Sequence, residues 1–262
     1  MTAGRSPADE FRRLHRAGRP LLLPNAWDFA SAAVLARAGF RAIGTTSLGV
    51  AAGKADAAGR TKQETVTLAR AIAALGLVTV DIEAGFSSEP AKVAELAGAL
   101  AAVGVVGVNI EDGRGTTLAR PERQAELIAA IKGRAPALFV NARIDGYWLG
   151  LQIEPAETLR RADFYLAAGA DGIFIPGLGD ERLIARFVAA VDAPLNVLFS
   201  SAGPSLDRLA AMGVRRVSCG SLLLRAALRA TVEFAEGIRS GMPIDLEGLP
   251  SYADIQGLLP GP

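Results

Sequence analysis

Short apolar runs that close on polar residues recur along this chain: VTVDIE (78–83), VGVNIED (106–112) and FVNARID (139–145). The apolar part of each run predicts a strand buried on both faces. The carboxylates and amides at its end are costly to bury unless they bind something. A second phrase repeats between the runs: an alanine-rich helix, a glycine, then another apolar stretch. It reads AAVLARAGFRAIGTTS, LAGALAAVGVVGVNIED, ADFYLAAGADGIFIPG and LDRLAAMGVRRVSCGS. The glycine suits a left-handed helix cap, and the alternation predicts parallel strands with right-handed crossovers. Strands are expected at 20–25, 42–47, 77–83, 105–112, 138–145, 172–177, 195–200 and 216–221. Eight strand–helix units make a (β/α)8 TIM-type barrel, whose chemistry sits where the strands end. An open doubly wound sheet is the competing architecture. The strand count argues against it, as does the lack of a G-x-G-x-x-G after any strand.

Residues 1–262 read as a single barrel domain with a C-terminal extension from about 241. That extension, rich in proline and glycine, is expected to form a turn and short helix on its own barrel or a neighbour's. With 262 residues, half of them hydrophobic, the chain is long enough for one such core. Net charge is +1 and there is no basic block, so neither nucleic acid nor a membrane surface is expected as a partner. One cysteine, Cys219, excludes an internal disulfide, and no apolar run is long enough for a spanning helix. The expected location is the cytoplasm.

The acidic residues change the picture most. Asp81 and Glu83 are two apart on one strand and share a face. Glu111 ends the neighbouring strand, and Asp56 lies in a loop. Such a cluster calls for a cation, and all-oxygen ligands favour Mg2+ or Mn2+. The bland alternative is that these acids cap helices or pair with arginines. Zinc is argued against by the single histidine, His15, which is expected to be exposed on the first helix, and the single cysteine. Arg143 suits bidentate capture of a carboxylate or phosphonate, or else a structural pair with Glu111 or Asp145. Asn25, Asn109, Asn141 and Asn196 near strand ends can orient a substrate oxygen or hold structure. The GTTS segment (44–47) offers an anion nest. Trp27, Tyr147 and Trp148 can wall the site or simply pack. No lysine ends a strand, which argues against Schiff-base chemistry, and Cys219 reads as a packed core thiol.

Taken together, PNAWD (24–28), GTTSLGVAAGKAD (44–56), VDIEAGF (80–86), NIEDG (109–113) and NARID (141–145) resemble the isocitrate lyase/phosphoenolpyruvate mutase superfamily, over roughly residues 8–240. The resemblance implies a barrel whose eighth helix is swapped between subunits of a homodimer or homotetramer. It implies Mg2+ held by Asp81, with Glu83, Glu111 and Asp56 supporting it directly or through water. A 2-oxo or 2-hydroxy acid would lie against the backbone of Thr46, Ser47 and Leu48, clamped by Arg143. Catalytic roles then fall to Arg143, Glu111 and Asp56, and further substrate contacts to Asn109, Asn196 and Trp27.

The departures narrow the chemistry. The superfamily's lyases carry a catalytic cysteine in the loop after strand 4, and its phosphonate-handling members carry Lys-Thr-Asn-Ser there. Here the segment is GRGTTLARPERQ (113–124), with Arg114, Thr116 and Thr117 as a short candidate lid. The tyrosine of the Gly-Tyr-Gly motif is replaced by Phe86. Decarboxylation tolerates a missing loop acid, so the expectation is a Mg2+-dependent carbon–carbon lyase of small 2-oxo or 2-hydroxy dicarboxylates, closest to an oxaloacetate decarboxylase. Phosphonopyruvate-type P–C chemistry is one alternative, and a non-catalytic metabolite-binding barrel is another.

Overall fold

The computed structural model describes residues 6–16, 18–55 and 59–259. The strands are β1 (Leu21–Leu23), β2 (Asn25–Ala26), β3 (Ala42–Thr45), β4 (Leu77–Asp81) and β5 (Gly107–Glu111). A hairpin of β6 (Gly113–Arg114) and β7 (Thr117–Leu118) follows. Then come β8 (Phe139–Arg143), β9 (Gly172–Ile175), β10 (Leu195–Leu198) and β11 (Arg216–Ser218). The helices are α1 (Pro7–Leu14), α2 (Phe29–Arg37), α3 (Ser47–Lys54), α4 (Lys62–Ile72), α5 (Pro90–Ala102), α6 (Pro121–Arg134), α7 (Pro155–Ala167), α8 (Glu181–Ala190), α9 (Leu206–Ala211), α10 (Leu222–Ser240) and α11 (Tyr252–Gln256).

The nine-stranded sheet runs β1-β11-β10-β9-β8-β5-β4-β3-β2, all parallel. Its two ends, β1 and β2, are consecutive stretches of chain separated only by Pro24. They act as one broken strand, so the sheet closes into the expected eight-stranded barrel. Proline has no amide to donate, and the pairing changes partner there: β1 is bound to β11 and β2 to β3.

Side chains alternate across the wall. Val78, Val80, Val108, Ile110, Val140, Ile173 and Val197 are buried among the helices, against Leu96, Leu127, Ile131, Tyr165 and Phe187. Thr79, Asn109, Asn141, Asn196, Arg216 and Ser218, equally buried, belong to the other parity. Strands stop before the predicted ends because rim residues leave extended geometry. Glu83, for example, turns out at φ 50°.

One expectation is corrected at the opposite mouth. His15 is 2% exposed rather than solvent-facing. The first helix is a plug: Phe11, Leu14, Leu23, Ala42, Val106 and Phe139 form a separate apolar cluster there. The His15 ring stacks on Phe139 at 4.3 Å, and its Nδ1 donates to the Phe11 carbonyl at 2.9 Å. Gly107 admits this plug, because a Cβ there would lie 3.1 Å from the Phe11 ring and 3.0 Å from the Phe139 carbonyl oxygen. Burial, aided by Arg216, pushes the imidazole down to about 3.

Past Gly241, a left-handed cap to α10, the chain forms the expected short helix. It returns to its own barrel, where the Arg37 guanidinium donates to the Gly257 carbonyl. The eighth barrel helix, α10, is poorly covered: of its 19 residues only Leu224 is buried, and Leu228, Val232 and Ile238 are 56%, 56% and 70% exposed. Among the described residues no helix is long and apolar enough to cross a membrane.

Candidate active site

A cavity of about 370 Å³ opens at the C-terminal ends of the strands. Asp81, Glu83, Asn109, Glu111 and Arg143 line one side, and Thr46, Ser47 and Leu48 the adjoining edge. Phe174, Pro176, Leu198, Phe199, Cys219 and Leu222 form the facing, mostly apolar wall, with Trp148 and Arg225 at the mouth.

Each polar group is placed by its strand. Asp81 ends β4, where its backbone N–H donates to Thr45 Oγ1 at 3.0 Å and its Oδ2 accepts from Ser47 Oγ at 3.0 Å. Ser47 opens α3, and Thr46 at the N-cap makes no side-chain cap. The first amides of α3 therefore lack partners one turn back and present a weak positive pole to the cavity. The Thr46 amide is not free, since it donates to the Ala26 carbonyl at 3.0 Å. Arg143 ends β8 in register with Glu111. Its Nη1 lies 2.8 Å from Glu111 Oε2 and its Nε donates to Asp145 Oδ1 at 2.6 Å. The guanidinium thus enters the site already held by two carboxylates, rather than as an uncommitted clamp.

The carboxylates are under electrostatic strain. Burial pushes Glu111 up to about 8, opposed by Arg143 and reinforced by Asp81, Asp145 and Glu83. Asp145 is pushed up to about 6, again by burial first. Burial also raises Glu83, against the Gly59 amide and with help from Asp81. Burial alone would lower Arg143, but Glu111, Asp145 and Asp81 outweigh it and hold the charge on.

A hard divalent cation would relieve this strain. Glu83 Oε1 is buried with no partner among the described residues. Among those residues no three acidic, histidine or cysteine side chains converge tightly enough to enclose an ion by themselves. Mg2+ does not require that, since it keeps several waters and takes one or two carboxylates. Asp81 and Glu83 fit that role, with Glu111 reached through water. Asp56 lies outside the described residues.

Four other expectations change. Trp27 does not line the cavity. It borders a separate groove with Val50, Lys54 and Leu68, because α3 packs against it so closely that a Cβ on Gly49 would lie 2.5 Å from the Trp27 Cβ. Asn196 is buried below the cavity, where its Nδ2 donates to Ser218 Oγ at 3.0 Å. The candidate lid faces elsewhere. Arg114 donates to the Glu111 and Gly113 carbonyls and to Gln124 Oε1, and Thr116 and Thr117 border an outer groove with Leu151 and Glu157. Cys219 lines the cavity instead of packing in the core, and burial raises its thiol.

The sequence reading missed Arg216, which is 0% exposed inside the barrel. Its Nη2 donates to Asn109 Oδ1 at 3.1 Å, and Asn109 also accepts from Asn141 at 3.0 Å. Burial pushes the guanidinium down to about 9, with Asp81 resisting, so it stays charged beneath the carboxylates at neutral pH. The signal was the Arg215–Arg216 pair at the head of an apolar strand: alternation must point one of the two inward.

The chain is similar over most of its length to known proteins. An uncharacterized protein of Mycobacterium tuberculosis is 40% identical over 255 residues, covering 95% of each chain. An oxaloacetate decarboxylase of Ectopseudomonas mendocina is 35% identical over 129 residues, 48% of this chain and 43% of that enzyme. A solved structure of phosphonopyruvate hydrolase in complex with oxalate and Mg2+ is 25% identical. It superimposes with a TM-score of 0.83, over 97% of this chain and 95% of the other. The family model for phosphoenolpyruvate phosphomutase matches residues 11–239. A closed parallel barrel with an acidic rim, over a match that spans nearly all of it, means that the chain belongs to the phosphoenolpyruvate phosphomutase family, in the superfamily that includes the isocitrate lyases.

Proposed function

We propose that this protein is a Mg2+-dependent lyase of small 2-oxo or 2-hydroxy dicarboxylates, with decarboxylation of oxaloacetate as its reaction. The observation that carries the reading is the single cavity faced by Asp81, Glu83, Glu111, Arg143 and the uncapped start of α3. The resemblance to an oxaloacetate decarboxylase across 48% of the chain supports the choice of substrate.

The bound ion would supply a Lewis acid next to the 2-oxo group. The chain's own residues do the rest. The Ser47 and Leu48 amides receive the carboxylate beside the carbonyl. Ser47 Oγ fixes the Asp81 carboxylate through its hydrogen bond. Arg143, immobilised by Glu111 and Asp145, meets the negative charge that develops on the carbonyl oxygen as CO2 leaves. Breaking the C3–C4 bond leaves its electron pair in the enolate of pyruvate, and a proton then returns to C3. No acid is needed for the cleavage itself. That suits a β5–α6 hairpin whose side chains are tied down outside the cavity.

We further propose that the protein works as a homodimer or homotetramer, with the exposed stripe of Leu228, Val232 and Ile238 on α10 covered by a second copy.

A substrate screen with Mg2+ tests the reaction, following pyruvate or glyoxylate release from oxaloacetate, phosphonopyruvate, isocitrate and methylisocitrate, with EDTA controls. EDTA-sensitive pyruvate release from oxaloacetate is the expected result. Turnover of phosphonopyruvate alone would replace it with P–C chemistry. Silence on all four, with no Mg2+-dependent binding of oxalate, would remove the lyase reading.

A further inference from the structure

Arg216 is fully buried inside the barrel, and no step of the proposed reaction uses it. Its partners are a hydroxyl and an amide: Nε donates to Ser218 Oγ at 3.1 Å and Nη2 to Asn109 Oδ1 at 3.1 Å. Among the described residues no carboxylate pairs with it, and its Nη1 has no partner. A buried guanidinium in that setting is expensive. Packing alone would be served more cheaply by an apolar side chain of similar size.

An arginine can do one thing that an apolar side chain or a glutamine cannot: it fixes a direction. A guanidinium carries only N–H donors and no acceptor. The atom of Asn109 that meets it must therefore be Oδ1 and never Nδ2. Asn141 Nδ2 donates to the same oxygen at 3.0 Å, so Oδ1 is held from inside the barrel on two sides. The other end of the amide, Nδ2, donates to nothing among the described residues, and Asn109 lines the cavity. In the β4–β5 register Asn109 is the partner of Asp81. The N–H thus stands beside a carboxylate suited to the ion, where the oxygen-rich end of a 2-oxo acid would come.

We propose that Arg216 is a positioning residue: it locks the Asn109 amide with its N–H towards the cavity, as a fixed hydrogen-bond donor to an oxygen of the bound acid. The proposal rests on the lyase reading for the kind of ligand, but its test is separable from that reading. The variants are Arg216→Met, which fills the space without donors, and Arg216→Gln, which can accept as well as donate and so lets the amide turn. Asn109→Ala and the double variant Arg216→Met/Asn109→Ala complete the set. Mg2+ alone, and oxalate in the presence of Mg2+, are titrated calorimetrically into each, with a melting curve on the same sample. Pyruvate release from oxaloacetate is followed beside them.

Asn109→Ala is expected to weaken oxalate about 10- to 100-fold, the size of one hydrogen bond to a charged group. Arg216→Met and Arg216→Gln should each weaken it about tenfold. The double variant should be no weaker than Asn109→Ala alone, because Arg216 acts through that amide. Mg2+ by itself should bind Arg216→Met as tightly as the wild type or more so, since a positive charge that Asp81 feels is gone. A lost structural prop would instead weaken Mg2+ and oxalate together. Unchanged oxalate affinity in Asn109→Ala overturns the proposal, whether or not the Arg216 variants fold. So do additive losses in the double variant, a parallel loss of Mg2+ and oxalate in Arg216→Met, or no oxalate binding by the wild type. Oxalate affinity that depends on Arg216 through Asn109, with no turnover of oxaloacetate, would overturn decarboxylation and keep the positioning role.

Discussion

The two mouths of the barrel are built from the same strands and do opposite work. At the N-terminal mouth, Phe11, Leu14, His15 and Phe139 close the opening with apolar and aromatic packing, and the one ionisable ring among them is held neutral. At the C-terminal mouth, Asp81, Glu83, Glu111 and Arg143 crowd a cavity in which burial and like charge make Glu83 and Glu111 hard to ionise. One end stores stability. The other gives it up to hold groups ready for a ligand, a division typical of functional sites. Sequence position alone does not separate them, since each mouth draws on residues scattered over more than 100 positions.

Substitutions that act on one mouth and spare the other test this division. Asp81→Ala should have the largest effect. Activity is expected to fall about a thousandfold or more, equivalent to roughly 4 kcal/mol of transition-state stabilisation. Thermal stability should hold or rise, because a charge facing Glu83 and Glu111 is gone. Steady-state kinetics and a melting curve on the same sample decide it, and a large fall in Tm would break the division.

Phe11→Ala is the mirror experiment. Emptying a fully buried ring position should cost about 3–5 kcal/mol in denaturant unfolding. The KM of the protein that remains folded should move less than about twofold.

The smallest and sharpest effect is in pH. His15 titrates at about 3 when folded, against an ordinary value of 6.5. Its contribution is therefore complete above pH 6.5 and is lost as pH falls towards 3, because only the unfolded chain takes up the proton. At pH 4.5 this amounts to about 2–3 kcal/mol. His15→Phe should flatten the difference in unfolding free energy between pH 7 and 4.5 by about that amount. An unchanged difference would show that the imidazole does not carry the acid limb.

Much of this architecture was legible from period alone. Strands buried on both faces read as continuous apolar runs, and glycines after alanine-rich helices marked the returns, so all eight strands fell where they were expected. The acidic rim was legible because Asp81, Glu83 and Glu111 interrupt those runs at their ends. Harder to see was anything that depends on reach across the barrel. Arg216 looks like a surface residue until the strand's alternation turns it inward onto Asn109. His15 looks exposed until its helix is known to plug a mouth rather than coat a wall. Trp27 follows a strand end like the true lining residues, and Asn196 lies second in β10, one layer below that rim. They are diverted by one close packing contact and one internal hydrogen bond, neither of which leaves a trace in local sequence.

The break at Pro24 carries a mechanical consequence. On one side of the seam β1 and β11 share three residue pairs, as most neighbouring strands do, but on the other β2 and β3 share only two. Asn25 makes up part of the deficit with its side chain. Its Nδ2 donates to the Thr45 carbonyl at 2.8 Å, and its Oδ1 accepts from the Cys219 and Gly220 amides at 3.0 and 2.9 Å. The hoop is thus buckled there by one amide rather than welded by a ladder, and Asn25 itself lines the cavity on the side of Cys219. If the wall yields to a bulkier ligand, this is its softest arc, so tolerance for substrate size is expected to concentrate there while the acidic rim stays rigid.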